Sequence, residues 1–94
     1  DSLITKLIDA STHNQGFITT ELVGAALLDL QFGKITDADK VDVAAFEANV
    51  AKELKMPKEI TFRYRSPYFR HIFGSDGYAA GYYTYLWAEV LDAD

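Results

Sequence analysis

The sequence predicts an all-α fold, with about four helices and an irregular Gly/Tyr-rich loop before the last of them. Apolar residues recur at helical spacing in several stretches, whereas only Lys58 to Arg65 alternates as a strand would. Ser, Thr and Asp stand where helices would begin, and Gly33 and Pro57 stand where they would stop. With 94 residues and 49% hydrophobic content the chain makes one small globular unit.

The first helix is expected from Ser2 to about Ser11. Leu3, Ile4, Leu7 and Ile8 form its stripe, and Ser2 or Asp1 caps it. Ser11 to Gly16 reads as a connector, with His13 a solvated or capping residue. The second helix is expected from about Thr20 to Phe32, capped by Thr19 or Thr20, with Glu21 complementing its dipole. Leu22, Val23, Ala25, Ala26, Leu27, Leu28, Leu30 and Phe32 leave it few polar positions, so burial on several sides is expected. Asp29 interrupts this apolar surface and reads as a solvent-edge position or a local salt bridge. Gly33 is placed as the C′ residue.

Ile35 to Val41 is a polar connector. A third helix follows from about Asp42 to Leu54, with Asp39 or Asp42 as cap and Val43, Phe46, Val50 and Leu54 as stripe. Lys52 and Lys55 suit its C-terminal dipole, and its charges read as a solvated face. Lys58 to Arg65 reads as a short extended segment. Ser66-Pro67 then opens a helical turn through Phe69 to Phe73. The last helix is expected from Tyr78 to Leu91. At about 100° per residue, Tyr78, Tyr82, Tyr85 and Glu89 fall in one line, while Tyr83, Leu86, Trp87, Val90 and Leu91 form a band for a core.

Composition narrows the function. The net charge of −5 argues against nucleic acid, although Arg63, Arg65 and Arg70 form a local basic cluster suited to a carboxylate or phosphate. Zero cysteines leave no disulfide or thiol chemistry. No apolar run reaches the roughly 18 residues of a membrane span, and no signal peptide is visible. The location expected is the cytoplasm. Two histidines without ligand spacing offer no self-contained metal site.

The richest stretch is Phe62 to Trp87. It holds all six tyrosines, the single tryptophan, one of two histidines and three of six glycines. Gly74-Ser75-Asp76-Gly77 within it is not G-x-S-x-G, is too short for a calcium loop, and lacks the Gly-Lys-Ser/Thr of a Walker loop. It reads as a turn, and as a hinge for Tyr78.

The run His71-Ile72-Phe73-Gly74, then Gly77-Tyr78-Ala79-Ala80-Gly81-Tyr82-Tyr83-Thr84-Tyr85-Leu86-Trp87, resembles the zinc metallopeptidases of the thimet oligopeptidase and peptidyl-dipeptidase family. Asn14 to Glu21 and Ala25 to Leu30 look most like the peptidyl-dipeptidase (dipeptidyl carboxypeptidase) branch. The resemblance is strong over 14–32 and 62–92 and weaker over 36–60. It implies a zinc-polarised carbonyl and an activated water, with H-E-x-x-H supplying two ligands and the base. This chain has no H-E-x-x-H.

The resemblance therefore implies a single fragment, 1–94, of the catalytic domain, from near the C-terminal end of a larger enzyme and without the zinc-ligand helix. The absent initiator Met and the end at Asp92-Ala93-Asp94 fit that expectation. By resemblance Tyr85 is the transition-state-stabilising tyrosine, and Tyr78 closes on substrate. Tyr82 and His71 touch the peptide or its carboxylate end, and Gly74 and Gly77 are expected among the substrate-binding residues. The loop between His71 and Tyr78 carries one or two more residues than the oligopeptidase branch. Zinc would belong to the parent enzyme and not to this fragment. The partners implied are a peptide substrate and the rest of the catalytic domain. The isolated piece is expected to be inactive and to expose apolar surface. The alternative is a non-enzymatic helical module that binds peptide or protein through tyrosine and arginine.

Overall fold

A computed structural model describes residues 2–93. Among the described residues the chain is helical, with no strand. The helices are α1 (Ser2–Thr12), α2 (Gln15–Phe32), α3 (Val43–Glu53), the single turn α4 (Arg70–Phe73) and α5 (Thr84–Asp92). Short 3-10 turns lie at Ala38–Lys40, Ser66–Tyr68 and Asp76–Tyr78. The all-α expectation holds, and several boundaries move. Of the two caps expected for α1, Asp1 lies outside the described residues.

Helix α2 begins at Gln15, not near Thr20, and the connector shrinks to His13 and Asn14. Asn14 takes the left-handed conformation, φ 57°, which asparagine tolerates better than most residues. Gly16 is absorbed into the helix. The Thr20 hydroxyl donates back to the Gly16 carbonyl at 2.7 Å rather than capping. At its other end α2 stops at Gly33, but Gly33 is right-handed, φ −61°. Its value is spatial, because a Cβ there would lie 3.2 Å from the Ala80 Cβ.

Helix α2 is the spine. One side packs Ala25 and Ala26 against Phe69, Ile72 and Tyr82. The other packs Leu28 against Val50 of α3 and Phe62. Burial on several sides is why so few polar residues occur in α2. α1 buries none of its residues, and its Leu3, Ile4, Leu7 and Ile8 stripe is exposed. The Cα radius of gyration is 16.2 Å, against about 12 Å for a compact chain of this length.

Asp42 caps α3 as expected, accepting from the Ala45 N–H at 2.9 Å. The helix ends before Pro57 can act. Lys55 turns left-handed, φ 52°. The Met56 N–H reaches the Ala51 carbonyl at 3.0 Å and the Lys55 N–H the Lys52 carbonyl at 3.1 Å. That pair of bonds is a Schellman motif.

The charges of α3 are not all a solvated face. Glu47 is 5% exposed. Its Oε1 accepts from the Ser66 N–H and the Ser66 hydroxyl at 2.5 Å each, and its Oε2 from Arg65 Nε at 2.7 Å. Glu47 thus pins the turn at residues 66–68, which is why Ser66 does not act as a free cap. Burial pushes the Glu47 carboxyl up, but the Ser66 bonds and Arg65 outweigh it and hold it below the usual carboxylate range. The Arg65 side chain is 64% exposed, so Ser66 carries most of the effect.

A carboxylate with a depressed folded pKa contributes stability above its unfolded pKa and loses it as pH falls through the folded value. Thermal unfolding should therefore show an acid-side loss below about pH 4.5. Glu47→Gln should lower stability at neutral pH by about 1–3 kcal/mol and flatten that acid limb. An unchanged limb in the variant would remove Glu47 as its source.

The last helix differs most from expectation. α5 begins at Thr84, six residues after Tyr78. Residues 79–83 form an irregular turn in which Ala80 is left-handed, φ 54°. The amides that a longer helix would use go elsewhere. Asp29, read as a solvent-edge position or a local salt bridge, is instead 2% exposed and accepts from the Ala80 and Tyr82 N–H groups at 2.9 Å each. The apolar band of α5 does not enter this chain's core, since α5 has no buried residue and Trp87 is 59% exposed.

Candidate functional site

The site grows from the floor upward. Phe69 is fully buried under the turn that leads into α4. Tyr64 stacks on its ring at 5.0 Å, and Tyr82 meets it edge-on, also at 5.0 Å. Such geometries suit the ring quadrupoles. His71, one residue into α4, sits above this floor. Its ring lies 5.3 Å from Tyr64, 5.4 Å from Tyr82, 6.1 Å from Tyr78 and 6.3 Å from Tyr85. His71 Nδ1 is buried with no hydrogen-bond partner among the described residues.

The tyrosines expected on one helix face do converge, by a different route. Tyr82 closes the turn before α5 and Tyr85 starts the helix, with their rings 5.0 Å apart. Tyr78 arrives from its 3-10 turn and stacks on Tyr85 at 5.5 Å with the planes 3° apart. The neighbouring Tyr78 hydroxyl raises the Tyr85 phenol above its ordinary value. Burial raises Tyr82 strongly. Both stay protonated donors at neutral pH.

His71, Tyr82 and Tyr85, but not Tyr78, border a cleft of about 580 Å³ between α2 and α5. Arg63, Tyr64, His71, Tyr82, Tyr85 and Glu89 line it, with Ile18 and Leu22 as its apolar side. Arg63 Nη1 stands 3.8 Å from Glu21 Oε2. Its Nε donates to the Tyr64 hydroxyl at 3.4 Å, which draws the Tyr64 phenol below its ordinary value. The cleft thus offers phenolic donors, one guanidinium and an aromatic floor, a combination suited to the carbonyls and carboxylate of a peptide.

The arginine cluster divides. Arg63 joins the cleft, Arg65 is taken by Glu47, and Arg70 is exposed on α4. Gly74 and Gly77 lie in the connecting loop and do not line the cleft. Neither has a positive φ. Gly74 is required by space, because a Cβ would meet the Arg70 carbonyl oxygen at 2.5 Å. Gly74→Ala should therefore shift the end of α4 and cost about 1–3 kcal/mol, read by thermal unfolding. A variant as stable as the parent would show that the turn relaxes freely. Around Gly77 the space is open apart from Ser75 Oγ at 3.6 Å.

Three comparisons bear on identity. The profile of Peptidase family M3 matches residues 1–94. The chain belongs to Peptidase family M3. Dipeptidyl carboxypeptidase of Escherichia coli is 46% identical over 97 residues, covering 100% of this chain and 14% of that protein. Dipeptidyl carboxypeptidase of Salmonella typhimurium is 49% identical over 88 residues, covering 90% and 13%. Oligopeptidase A of Haemophilus influenzae is 33% identical over 93 residues, covering 97% and 13%. The chain thus spans only 13–14% of the length of these relatives. No solved structure matches.

For an M3 peptidase segment the metal question has a direct answer. Among the described residues no three His, Cys, Asp or Glu side chains converge. These residues on their own do not fit a zinc site. No helix among the described residues is long and apolar enough to cross a membrane.

Reading the sequence missed two parts of the site. Tyr64 lines the cleft but read only as one face of an extended segment. Asp29 holds the tyrosine turn from 51 and 53 residues away, and only its placement in an otherwise apolar helix hinted at it.

Proposed function

We propose that this segment is one wall of the substrate cleft in a larger zinc-dependent peptidyl-dipeptidase, which hydrolyses peptides and releases C-terminal dipeptides. The observation that carries this reading is the convergence of His71, Tyr82 and Tyr85 on one cleft, with Tyr78 packed against His71 and Tyr85, in a chain of family M3. Two similar proteins named dipeptidyl carboxypeptidase favour the peptidyl-dipeptidase branch. Family membership favours a peptidase over a non-enzymatic binding module.

In this reading Tyr85 donates its hydroxyl proton in a hydrogen bond to the oxyanion of the tetrahedral intermediate. A neutral phenol suits the task, because it adds no competing charge and needs no proton taken from solvent. Its ring is held by stacking on Tyr78, with the centroids 5.5 Å apart. Tyr78 closes over the peptide on the loop bordered by Gly74 and Gly77. Tyr82 and His71 contact the peptide near its carboxylate end. Zinc belongs to residues outside these 94. The remainder of the catalytic domain covers the exposed faces of α1 and α5. The location proposed is the cytoplasm, with neither nucleic acid nor membrane as partner.

Product analysis by mass spectrometry tests the reaction class. The full-length enzyme should release dipeptides stepwise from peptides with a free C-terminus and act poorly on the amidated forms. Internal cleavage indifferent to the C-terminus would overturn the peptidyl-dipeptidase assignment.

A further inference from the structure

We propose that Asp29 is a positioning residue for Tyr82 and Tyr85, clamping the backbone that presents them to the cleft. The proposal rests on the cleft-wall reading. Asp29 is 2% exposed. Its two oxygens are divided between two amides, Oδ1 accepting from Ala80 and Oδ2 from Tyr82, each at 2.9 Å. Among the described residues no lysine or arginine pairs with it. Burying a carboxylate without a cation is costly, so an apolar residue would serve α2 better if packing were its only task.

The clamped amides flank Gly81 and span the turn immediately before α5. Ala80 is held there in the left-handed region, φ 54°, which an alanine avoids unless its surroundings over-determine it. One helical turn further along α2, Gly33 leaves room for the Ala80 methyl, at 3.2 Å from where a Cβ would stand. Asp29 and Gly33 together form a seat for the turn. The seat sets the start of α5 and therefore the place of the Tyr85 hydroxyl. Asn at position 29 keeps the shape but replaces one acceptor by an NH₂ that opposes an amide N–H.

The test is made in the full-length enzyme. Asp29→Asn should lower kcat by about 10- to 100-fold with KM changed only a few-fold and zinc retained, the size expected for a misplaced group. In a Tyr85→Phe background the same change should cost less than about 3-fold, because the two act through one hydroxyl. Unchanged kcat, or a full additional loss in that background, would overturn the proposal. If Asp29→Asn does not fold, Gly33→Ala reads the same seat. It should lower kcat several-fold, and Gly33→Ala/Ala80→Gly should restore it; no loss, or no rescue, overturns the seat. If Tyr85→Phe itself leaves turnover intact, Tyr85 is not the oxyanion donor and the clamp is judged by hydrogen exchange. Slow exchange at the Ala80 and Tyr82 amides upholds it, and exchange as fast as in the open loop overturns it.

Discussion

Replacing Tyr85 with phenylalanine in the full-length enzyme is expected to lower kcat by about 100- to 1000-fold while leaving bound zinc unchanged, the loss typical of one oxyanion donor. The substitution removes a single oxygen. It leaves the ring stacked on Tyr78 at 5.5 Å and packed on Tyr82 at 5.0 Å. Packing therefore changes little, and the lost rate reports the hydroxyl. KM should move far less than kcat, because the hydrogen bond strengthens only as charge develops on the carbonyl oxygen. Steady-state kinetics with metal analysis on the same preparation separate the outcomes. Full turnover in the variant would remove Tyr85 from the chemistry.

The largest stability effect is expected at Phe69. It is fully buried and touches three site residues, Tyr64, Tyr82 and His71, at ring separations of 5.0, 5.0 and 6.2 Å. Phe69→Ala should cost about 3–5 kcal/mol, the transfer loss plus a cavity that these rings are too constrained to fill. The site should suffer with the fold, since His71 and Tyr82 lose their floor. Denaturant unfolding of the variant checks this. A loss under about 1 kcal/mol would mean that the cluster collapses onto the gap and that Phe69 is not its keystone.

The parts of the fold that were legible depend on neighbours close in sequence. The stripes of α2 and α3 and the Asp42 cap follow from helical spacing and local hydrogen bonding. The start of α2 did not, because Asn14-Gln15-Gly16 has turn composition while Asn14 supplies the left-handed joint that lets Gly16 stay helical. Asp29 and Glu47 were misread for one shared reason. Each is a carboxylate whose partners, backbone amides together with a hydroxyl and a guanidinium for Glu47, lie at least 18 residues away. No periodicity records such a partner. The tyrosine line was legible as a set of residues but not as a structure. The ideal helix placed Tyr78, Tyr82 and Tyr85 on one face, whereas an irregular turn held by Asp29 gathers them around His71. The apolar band of α5 follows helical spacing, yet α5 has no buried residue among the described residues.

The most direct test of the cleft-wall account is zinc content and peptidase activity measured side by side on this 94-residue segment and on the full-length enzyme. The account predicts that the full-length enzyme alone binds zinc and releases C-terminal dipeptides, while the segment does neither. A full-length protein that is zinc-free and inert on peptides would contradict it, and the tyrosine cleft would then be a binding surface.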